Sequence, residues 1–329
     1  MRYGFLLLGE HEEFGKLEIL NLLNSYSHAR IVDEDDRILI MESEPPDRTF
    51  FDRLAMVRES FIHIDTVDID YLERRFKDLN FEGKRVCVRV KKLNKSLAIS
   101  TVELERKLGA ILYRNGAIID LKDSDITIKV YITDRCHIGI LNHVTNTAQF
   151  FERRPDKKPF FKPGALLPRL ARALVNFTGI TDDTLLDPMC GTGTILIEAG
   201  LMGIDFVGIE AFKKVLYGCA ENLIYYNLPV NLIRGDARNI SLRDDTVSAI
   251  VTDYPYLRSS KSFGELSELY ERSFEEISRV LKKGKRLVIV SNIDVEERYS
   301  IENYFKIERK LFQRVHKNLY RRIYILQNR

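Results

Sequence analysis

A glycine-rich turn between a strand and a helix is the first feature of this sequence that could do chemistry. The segment LLDPMCGTGTILIEAG places Asp187 at the end of a predicted strand, Gly191 and Gly193 in the turn, and a helix after them. Glycines let the backbone approach a ligand closely, and the N-terminus of a helix supplies positive potential. A dinucleotide-binding fold would place a third glycine where Leu196 stands, so the pattern disfavours NAD.

Acidic residues end the next two predicted strands as well. Glu210 ends the second strand, where a carboxylate can accept hydrogen bonds from both hydroxyls of a ribose. Asp236 ends the third, where it can meet an adenine amine or the neighbouring ribose. Any one of these acids alone could equally be a helix cap or a solvated loop residue. Because the C-terminal ends of parallel strands line one crevice, the three acids together predict a binding site there.

These features resemble the class I S-adenosylmethionine-dependent methyltransferases, whose RNA-modifying members begin their motif D-P-x-C-G-x-G-T. The match runs through D-P-M-C-G-T-G-T at Asp187–Thr194, and the resemblance covers roughly residues 165–329. It implies S-adenosyl-L-methionine as the cofactor and no metal. The cofactor-binding residues that it implies are Asp187, Cys190, Gly191, Gly193, Thr194, Glu210, Asp236, Ala237 and Asp253.

The fourth predicted strand ends in Asp253-Tyr254-Pro255-Tyr256, which resembles the D-P-P-Y motif that amino-methyltransferases use on nucleic-acid bases. An exocyclic amine is a poor nucleophile because its lone pair is delocalised into the ring. Two acceptors for its hydrogens, the Asp253 carboxylate and the Tyr254 carbonyl, would favour a pyramidal nitrogen whose lone pair points at the sulfonium methyl. Tyr256 can stack on the extruded base. We therefore predict in-line methyl transfer in which positioning supplies most of the rate.

Tyr254 departs from that motif, which more often has proline at this position. Pro255 still biases Tyr254 toward an extended backbone, so the carbonyl can keep its direction while some rigidity is lost. For this motif taken by itself, the alternative is a strand-ending turn whose tyrosines belong to the core.

A parallel sheet is needed to position these motifs. After residue 165, short β-branched segments alternate with amphipathic helices, which indicates a parallel sheet covered on both faces. The last segments, FKIERKLFQRV and YRRIYILQ, are too close together for a crossover helix and should pair antiparallel at the sheet edge. The predicted class is α/β, a doubly wound class I methyltransferase sheet with an antiparallel C-terminal hairpin.

A proline-rich stretch separates this region from an α+β region. RRPDKKPFFKPGALLP, residues 153–168, contains four prolines and a glycine that interrupt any regular element. Before it we predict, among other elements, a basic strand from Arg85, a helix at Val102–Tyr113 preceded by Ser100, and a strand at 125–133. We assign domains to residues 1–70 and 71–150, a linker to 151–165, and the methyltransferase domain to 166–329.

Basic residues are concentrated in three segments although the net charge of the chain is only +3. Lys84–Lys107, Phe151–Val175 and Lys306–Arg329 hold eight, seven and eight Lys or Arg residues respectively. Each cluster alone could be a solvated face, but together they favour a polyanionic partner. The RNA contacts that we predict are Lys91, Lys92, Lys95, Arg153, Arg154 and Lys162.

Composition narrows the class of protein further. With 329 residues, 45% of them hydrophobic and 30% charged, the chain can form two or three packed cores and is not globally disordered. It shows neither a signal peptide nor a run of about 20 apolar residues, which predicts a cytoplasmic protein without a membrane span. The four cysteines include no C-x-x-C pair, so we expect buried, reduced thiols.

The segment FFKPGALLPRLARALVN, Phe160–Asn176, closely resembles the P-F-F-x-P-G-x-x-x-P-K-L-A-R-x-x-V-N stretch of archaeal tRNA guanosine-10 N2-methyltransferases. That family has an N-terminal ferredoxin-like domain and a THUMP domain, and residues 83–132 are similar to a THUMP. The resemblance implies mono- or dimethylation of guanine N2 at position 10 of tRNA, with the THUMP docking on the acceptor end. It also implies a small zinc-binding activator protein as a candidate partner of the catalytic domain.

Three other functions stay open. A DNA adenine N6-methyltransferase shares the D-P-P-Y chemistry but would carry a target-recognition domain in place of the THUMP. A related enzyme acting on another tRNA guanosine would have the same motifs. An inactive RNA-binding protein or assembly factor would not need Asp253 and the three cofactor acids.

Overall fold

The computed structural model describes residues 1–9, 12–256, 263–316 and 319–329. The chain divides into two compact units. The first unit consists of Met1–Lys16, Ser27–Asp52 and Met56–Thr145. The second consists of Leu17–Tyr26, Arg53–Ala55 and Asn146–Arg329.

The first four strands form an antiparallel arrangement in the order β2-β3-β1-β4. A β-α-β-β-α-β succession with this order is the ferredoxin-like arrangement, which the family resemblance implies. The elements are β1 (Arg2–Leu7), α1 (Glu12–Tyr26), β2 (Arg30–Asp35), β3 (Ile38–Glu42), α2 (Arg48–Arg53) and β4 (Val57–Val67).

The same sheet continues into four more strands. The elements are α3 (Leu72–Lys77), β5 (Arg85–Lys92), α4 (Thr101–Arg114), β6 (Ile118–Ile119), β7 (Ile126–Ile132) and β8 (Cys136–Val144). Strand β8 pairs antiparallel with β4, which gives the order β2-β3-β1-β4-β8-β7-β5-β6. The segments 1–70 and 71–150 therefore share one eight-stranded sheet. Ser100 caps α4 as expected, because its side chain accepts from the amide of Glu103.

The second unit contains a seven-stranded sheet in the order β11-β10-β9-β12-β13-β15-β14. The strands β11, β10, β9, β12 and β13 run parallel to one another. Strand β15 pairs antiparallel with both β13 and β14, which confirms the predicted sheet and hairpin. The elements are α5 (Ala148–Glu152), α6 (Pro168–Phe177), β9 (Thr184–Asp187), α7 (Thr194–Leu201), β10 (Asp205–Glu210), α8 (Lys213–Tyr225), β11 (Leu232–Arg234), β12 (Val247–Asp253), α9 (Phe263–Val280), β13 (Leu281–Ser291), α10 (Val295–Arg298), β14 (Phe305–His316) and β15 (Leu319–Asn328).

The core of this sheet fixes the end of β12. Residues 247–252 of that strand are buried, and Tyr254, just beyond it, stacks on Tyr270 of α9 with ring centroids 4.1 Å apart. Tyr270 stacks in turn on Tyr299. The hydroxyls of Tyr254 and Tyr270 hydrogen-bond to Ser273 and Ser291, so these buried polar groups are satisfied. The chain therefore leaves the sheet at Asp253 in a well-packed setting.

Other features of the described residues bear on the type of protein. All four cysteines are buried and unbridged, as expected. None of the described helices is both long enough and apolar enough to pass through a bilayer. Within the described ranges, no cluster of three or more His, Cys, Asp or Glu side chains has the arrangement of a metal site.

Candidate active site

Four acidic residues follow neighbouring parallel strands at one edge of the sheet. Asp187, Glu210 and Asp253 are the last residues of β9, β10 and β12, and Asp236 comes shortly after β11. Parallel pairing puts the carboxyl ends of these strands side by side in the order β11, β10, β9, β12. The sheet thus gathers the acids into the kind of crevice in which open α/β sheets bind ligands.

Asp187 and Cys190 are buried residues at the start of the glycine-rich turn. Asp187 is 1% exposed, and its Oδ1 accepts a 3.2 Å hydrogen bond from the amide of Met189. Burial raises the pKa of Asp187 to about 7. A hydrogen bond with the Cys219 thiol, together with burial, raises the pKa of Cys190. Cys190 is therefore a protonated packing residue rather than a nucleophile.

The turn itself needs glycine at two positions. Gly191 and Gly193 have φ values of 54° and 83°, in the left-handed region. A Cβ on Gly193 would lie 2.6 Å from the Cys219 sulfur, whereas a Cβ on Gly191 would meet nothing within 4 Å. The backbone above Gly191 thus faces open space next to the N-terminus of α7, which begins at Thr194. That combination fits a bound cofactor approaching the main chain.

Glu210 is held beside the turn by two backbone amides. Its Oε2 accepts from the Gly191 amide at 3.1 Å, and its Oε1 accepts from the Phe212 amide at 2.8 Å. A carboxylate oxygen has more than one lone pair, so both oxygens can still accept hydroxyl donors. Glu210 is thus a preorganised acceptor pair of the kind that two ribose hydroxyls require.

Asp236 lies at the next position along the edge and is paired with Arg238. The Asp236 Oδ2 atom is 2.7 Å from Nη2 of Arg238, and this pairing lowers the pKa of Asp236. Ala237, between them, is buried. Asp236 is therefore a charged acceptor whose direction is fixed by its own neighbour.

Asp253 presents one occupied and one available carboxylate oxygen. Its Oδ1 accepts a 2.7 Å hydrogen bond from the hydroxyl of Tyr256. No hydrogen bond from the described part of the chain reaches its Oδ2. Burial raises the pKa of Asp253 to about 7, while the hydrogen bond from Tyr256 lowers it. The site therefore contains a partly buried carboxylate with a raised pKa, and one of its oxygens has no hydrogen-bond partner among the described residues.

The two tyrosines of the motif play different parts. The side chain of Tyr254 is buried in the core, and its amide donates to the carbonyl of Val290 at 2.9 Å. The core interpretation thus holds for the Tyr254 side chain, and within the described ranges no backbone amide donates to its carbonyl. Tyr256 is only half-buried and Pro255 is exposed, so the ring of Tyr256 remains at the site surface.

Arg321 is a site residue that the sequence analysis missed. It lies on β15, is 7% exposed, and donates from Nε to the hydroxyl of Tyr256 at 3.0 Å. In the sequence it is one basic residue among eight in the C-terminal segment, 65 positions after Tyr256. One signal in the sequence could have identified it. Arg321, Ile323 and Ile325 alternate along the strand and therefore share one face, which is apolar apart from Arg321.

Most of the side chains that we predict to contact RNA already interact with other groups of the protein. In the first unit, Lys91 lies 3.8 Å from Glu59, Lys92 donates to the carbonyl of Leu97, and Lys95 is exposed. In the second unit, Arg154 is exposed beside Asp156, and Lys162 is exposed. Lys95, Arg154 and Lys162 are thus the most accessible members of the set.

Arg153 differs from the rest of that set because its side chain is buried. It is only 9% exposed, and its Nε and Nη2 atoms donate to the two carboxylate oxygens of Glu198 at 2.7 and 2.9 Å. Arg172 donates to the same carboxylate at 2.8 Å. The charge of Arg153 therefore satisfies a fully buried acid of α7, and Arg153 is the least accessible of the predicted RNA contacts.

Replacing Arg153 with alanine is accordingly expected to affect folding rather than RNA binding. The free energy of unfolding should fall by about 1.5–3 kcal/mol, the scale of hydrogen bonds to a charged group, because Arg172 still pairs with Glu198. Urea unfolding measures this loss, and the exposed Arg154→Ala serves as the matched control. A variant with parental stability and weaker RNA binding would restore Arg153 to the RNA-contacting set.

Comparison with known proteins shows the family to which this chain belongs. The model of the RMKL-like methyltransferase domain family matches residues 155–323. The tRNA (guanine(10)-N2)-dimethyltransferase of Methanothermobacter thermautotrophicus is 38% identical over 84% of this chain and 83% of its own length. That of Pyrococcus abyssi is 33% identical over 95% of this chain and 99% of its own.

Solved structures support the fold. TrmN from Thermus thermophilus aligns over 100% of this chain and 99% of its own, with a TM-score of 0.53 and 19% identity. A putative methyltransferase complexed with SAH aligns over 100% and 98%, with a TM-score of 0.50 and 14% identity. From the sequence relatives and the matched domain, the chain belongs to the RMKL-like methyltransferases and, within them, to the family of archaeal tRNA (guanine(10)-N2)-dimethyltransferases.

Proposed function

We propose that this protein methylates N2 of guanosine 10 in tRNA with S-adenosyl-L-methionine as methyl donor. The observation that carries the proposal is the Oδ2 of partly buried Asp253, which no hydrogen bond from the described residues reaches, one strand away from the glycine turn that follows β9. A carboxylate at this position can accept a hydrogen from an exocyclic amine. The names of the relatives that match most of the chain specify guanine N2 as the amine in those proteins.

The cofactor supplies an electrophilic methyl group on a sulfonium sulfur. Asp253 Oδ2 accepts one hydrogen of the guanine amine, and the Tyr254 carbonyl accepts the other. The nitrogen becomes pyramidal and its lone pair forms the new N–C bond as the S–C bond breaks. The methylated nitrogen is briefly cationic and then loses a proton, for which the Asp253 carboxylate is the nearest base. Tyr256 stacks on the extruded base, and Pro255 keeps the preceding backbone extended.

The cofactor itself is assigned to the glycine turn and its acidic neighbours. Gly191 and Gly193 allow close approach to the main chain, and Glu210 accepts from the ribose hydroxyls. Asp236 and the backbone of Ala237 meet the adenine. In addition to these, the residues that complete the proposed cofactor site are Asp187, Cys190, Thr194 and Asp253.

We propose two successive methyl transfers to the same nitrogen. After the first transfer the amine keeps one hydrogen, which the Asp253 carboxylate can still accept. Rotation about the exocyclic bond then exposes the lone pair to a second cofactor. The relatives named above are dimethyltransferases, which agrees with this order of events.

The basic residues of β5 and the loop after it are proposed to contact tRNA phosphates. Replacing Lys91, Lys92 and Lys95 with alanine should raise the KM for tRNA and leave cofactor affinity unchanged. Each lost phosphate contact should also flatten the log–log salt dependence of binding by about 0.7–0.9. Because Lys91 and Lys92 already have partners, most of the change should come from Lys95. Filter binding at several salt concentrations checks this, with Lys122→Ala, exposed and outside the three basic segments, as the control. An unchanged slope would mean that this face is only solvated.

An activator partner is proposed for the α8 side of the catalytic sheet. Strand β11 is a three-residue strand at the edge of the sheet. Helix α8 and the residue just before it expose several large apolar side chains. Those more than half exposed are Phe212, Tyr217, Ile224 and Tyr225. A small zinc-binding protein of the kind implied by the family would cover them. Size-exclusion chromatography of the mixture tests this proposal, which separate elution would contradict.

The remaining assignments concern the N-terminal region and the compartment. We propose that residues 1–70 and 71–150 are the ferredoxin-like and THUMP parts of an RNA-binding unit, and that 151–165 leads into the catalytic domain. We also propose a cytoplasmic location, where tRNA would be available.

Nucleoside mass spectrometry of total tRNA incubated with the enzyme and labelled cofactor tests the activity. The expected products are labelled N2-methylguanosine and N2,N2-dimethylguanosine. Label in N6-methyl-2′-deoxyadenosine after incubation with DNA in place of tRNA would instead favour a DNA methyltransferase. Absence of cofactor binding in isothermal titration would favour an inactive RNA-binding protein.

A further inference from the structure

The hydrogen bond between Tyr256 and Asp253 continues into the C-terminal strand. The Tyr256 hydroxyl donates to Asp253 Oδ1 at 2.7 Å and accepts from Arg321 Nε at 3.0 Å. Arg321 is held in turn by Gln313 of β14, whose Oε1 accepts from Nη1 at 3.3 Å. The guanidinium carbon also lies 6.0 Å from the centroid of the Tyr256 ring, at the outer limit of a cation–π contact. The motif at the end of β12 is therefore tied to two strands far away in sequence.

We propose that Arg321 is a positioning residue that orients the Tyr256 hydroxyl and, through it, fixes the Asp253 carboxylate with Oδ2 directed to the substrate amine. The inference rests on the proposed function, since it concerns how the same carboxylate is prepared for an amine. It adds a requirement that the D-Y-P-Y motif alone does not contain.

The direction of the hydrogen bonds follows from the donors and acceptors present. Arginine only donates, so the phenol oxygen of Tyr256 must accept from Arg321. The single phenol hydrogen is then left to point at Asp253, and the carboxylate must accept it. A carboxylate torsion is otherwise broad and nearly two-fold, so this hydrogen bond selects one orientation. Because the two oxygens of an ionised carboxylate are equivalent, Arg321 thereby fixes the plane of the Asp253 carboxylate, with one oxygen on the Tyr256 hydroxyl and the other directed away from it.

The sheet register explains how a residue of β15 reaches this site. Asp253 pairs with Val290 of β13, and Val290 pairs with Ile323 of β15. Because β15 runs antiparallel to β13, Arg321 lies two residues beyond Ile323 in the direction of the carboxyl end of β12, on the same strand face. The antiparallel hairpin therefore places the Arg321 guanidinium at the edge of the sheet where the acidic residues lie.

The charge of Arg321 also affects the ionisation of Asp253. Burial raises the pKa of Asp253 to about 7, while the Tyr256 hydrogen bond and the Arg321 charge lower it. The other titratable groups that act on Asp253 or respond to it are Asp187 of β9 and Tyr270 of α9. Removing the cation should raise the pKa of Asp253 further. Because the carboxylate is the active form, the rate falls at low pH as Asp253 is protonated. This fall, the acid limb of the rate profile, should then occur at higher pH.

The test compares Arg321→Met with the parent in single-turnover methyl transfer from pH 5.5 to 9, with tRNA saturating. The acid limb of the rate is expected to move up by about one pH unit, the lower end of the effect of a neighbouring opposite charge. Arg321→Lys should keep the limb near the parental pH while lowering the rate, because it retains the charge but loses the geometry of the guanidinium. Arg322→Met is the matched control, since Arg322 is adjacent on β15 but faces the other side of the strand. It should leave the limb unchanged.

A readout without turnover separates this proposal from the proposed function. The pKa of Asp253 is measured by carbon NMR of the cofactor-free protein, with the resonance assigned by its loss in Asp253→Asn. A rise in Arg321→Met supports the positioning role even if no tRNA is methylated. If Arg321→Met does not fold, Arg321→Gln provides the neutral variant for both measurements. A parental acid limb and a parental Asp253 pKa in a folded neutral variant would overturn the inference, whatever its overall rate.

The coupling between Arg321 and Tyr256 is tested by a double-mutant cycle. If Arg321 acts through the hydroxyl, adding its replacement to Tyr256→Phe should cost much less rate than the same replacement in the parent. Strictly additive losses would contradict an action through Tyr256.

Discussion

Asp253→Asn is expected to lower kcat for methyl transfer to tRNA by about 10² to 10³, with tRNA and cofactor binding within a few-fold of the parent. Loss of a preorganised group that stabilises transition-state charge has this scale. The carboxylate balances the positive charge that develops on the methylated nitrogen, and this interaction exists mainly in the transition state.

The hydrogen-bond arrangement around Asp253 gives a second reason for the loss. The Tyr256 hydroxyl points its hydrogen at residue 253 because it accepts from Arg321. An asparagine would satisfy that hydrogen with its carbonyl oxygen and turn its NH2 group toward the substrate amine. Two donors would then face each other where the parent has a donor and an acceptor.

Single-turnover kinetics with saturating tRNA measures the chemical step apart from product release. The parental rate should fall as the pH drops through about 7, where Asp253 becomes protonated, and this limb should be absent in Asp253→Asn. Exposed Asp182→Asn, on the loop before β9, is the matched control. A variant that transfers methyl at the parental rate would remove Asp253 from the reaction.

Glu210→Ala is expected to weaken cofactor binding by about 10- to 150-fold. The loss corresponds to about 1.5–3 kcal/mol, the scale of hydrogen bonds to a charged acceptor. Glu210 is held against the amides of Gly191 and Phe212, so both of its oxygens are already in place when the ribose arrives. The loss should therefore appear in cofactor affinity.

Isothermal titration with S-adenosyl-L-methionine measures this change. Asp205→Ala is the matched control, because Asp205 is exposed at the opposite end of the same strand. Its affinity should equal that of the parent. If Glu210→Ala also binds as tightly as the parent, the ribose contact belongs to another residue.

The catalytic sheet was predictable because its signals are local. The strands β9, β10 and β12 each end in an acid that stands next to the strand in the sequence, and the glycine turn lies in the same segment as Asp187. The terminal hairpin followed from the short connection alone. The continuous sheet of the first unit was not predicted, because β4 pairs with β8 from Val67↔Cys136 to Glu59↔Val144, residues 69 to 85 positions apart, and leaves no local pattern.

The side-chain partners of charged residues were the harder problem. Arg153 and Arg321 look like solvated basic residues in the sequence, yet each is buried against a specific acid or hydroxyl. Their partners, Glu198 and Tyr256, lie 45 and 65 residues away in sequence. Counting charges along a segment cannot distinguish such a residue from an RNA-contacting one, because burial depends on tertiary packing.

The most direct test of the central claim compares two tRNA transcripts that differ at one functional group. One carries guanosine at position 10 and the other carries inosine there, which lacks the exocyclic amine but keeps the rest of the base. With labelled S-adenosyl-L-methionine, the guanosine transcript should acquire up to two labelled methyl groups at that nucleotide, and the inosine transcript should acquire none. Equal labelling of the two transcripts would contradict methyl transfer to N2 of guanosine 10.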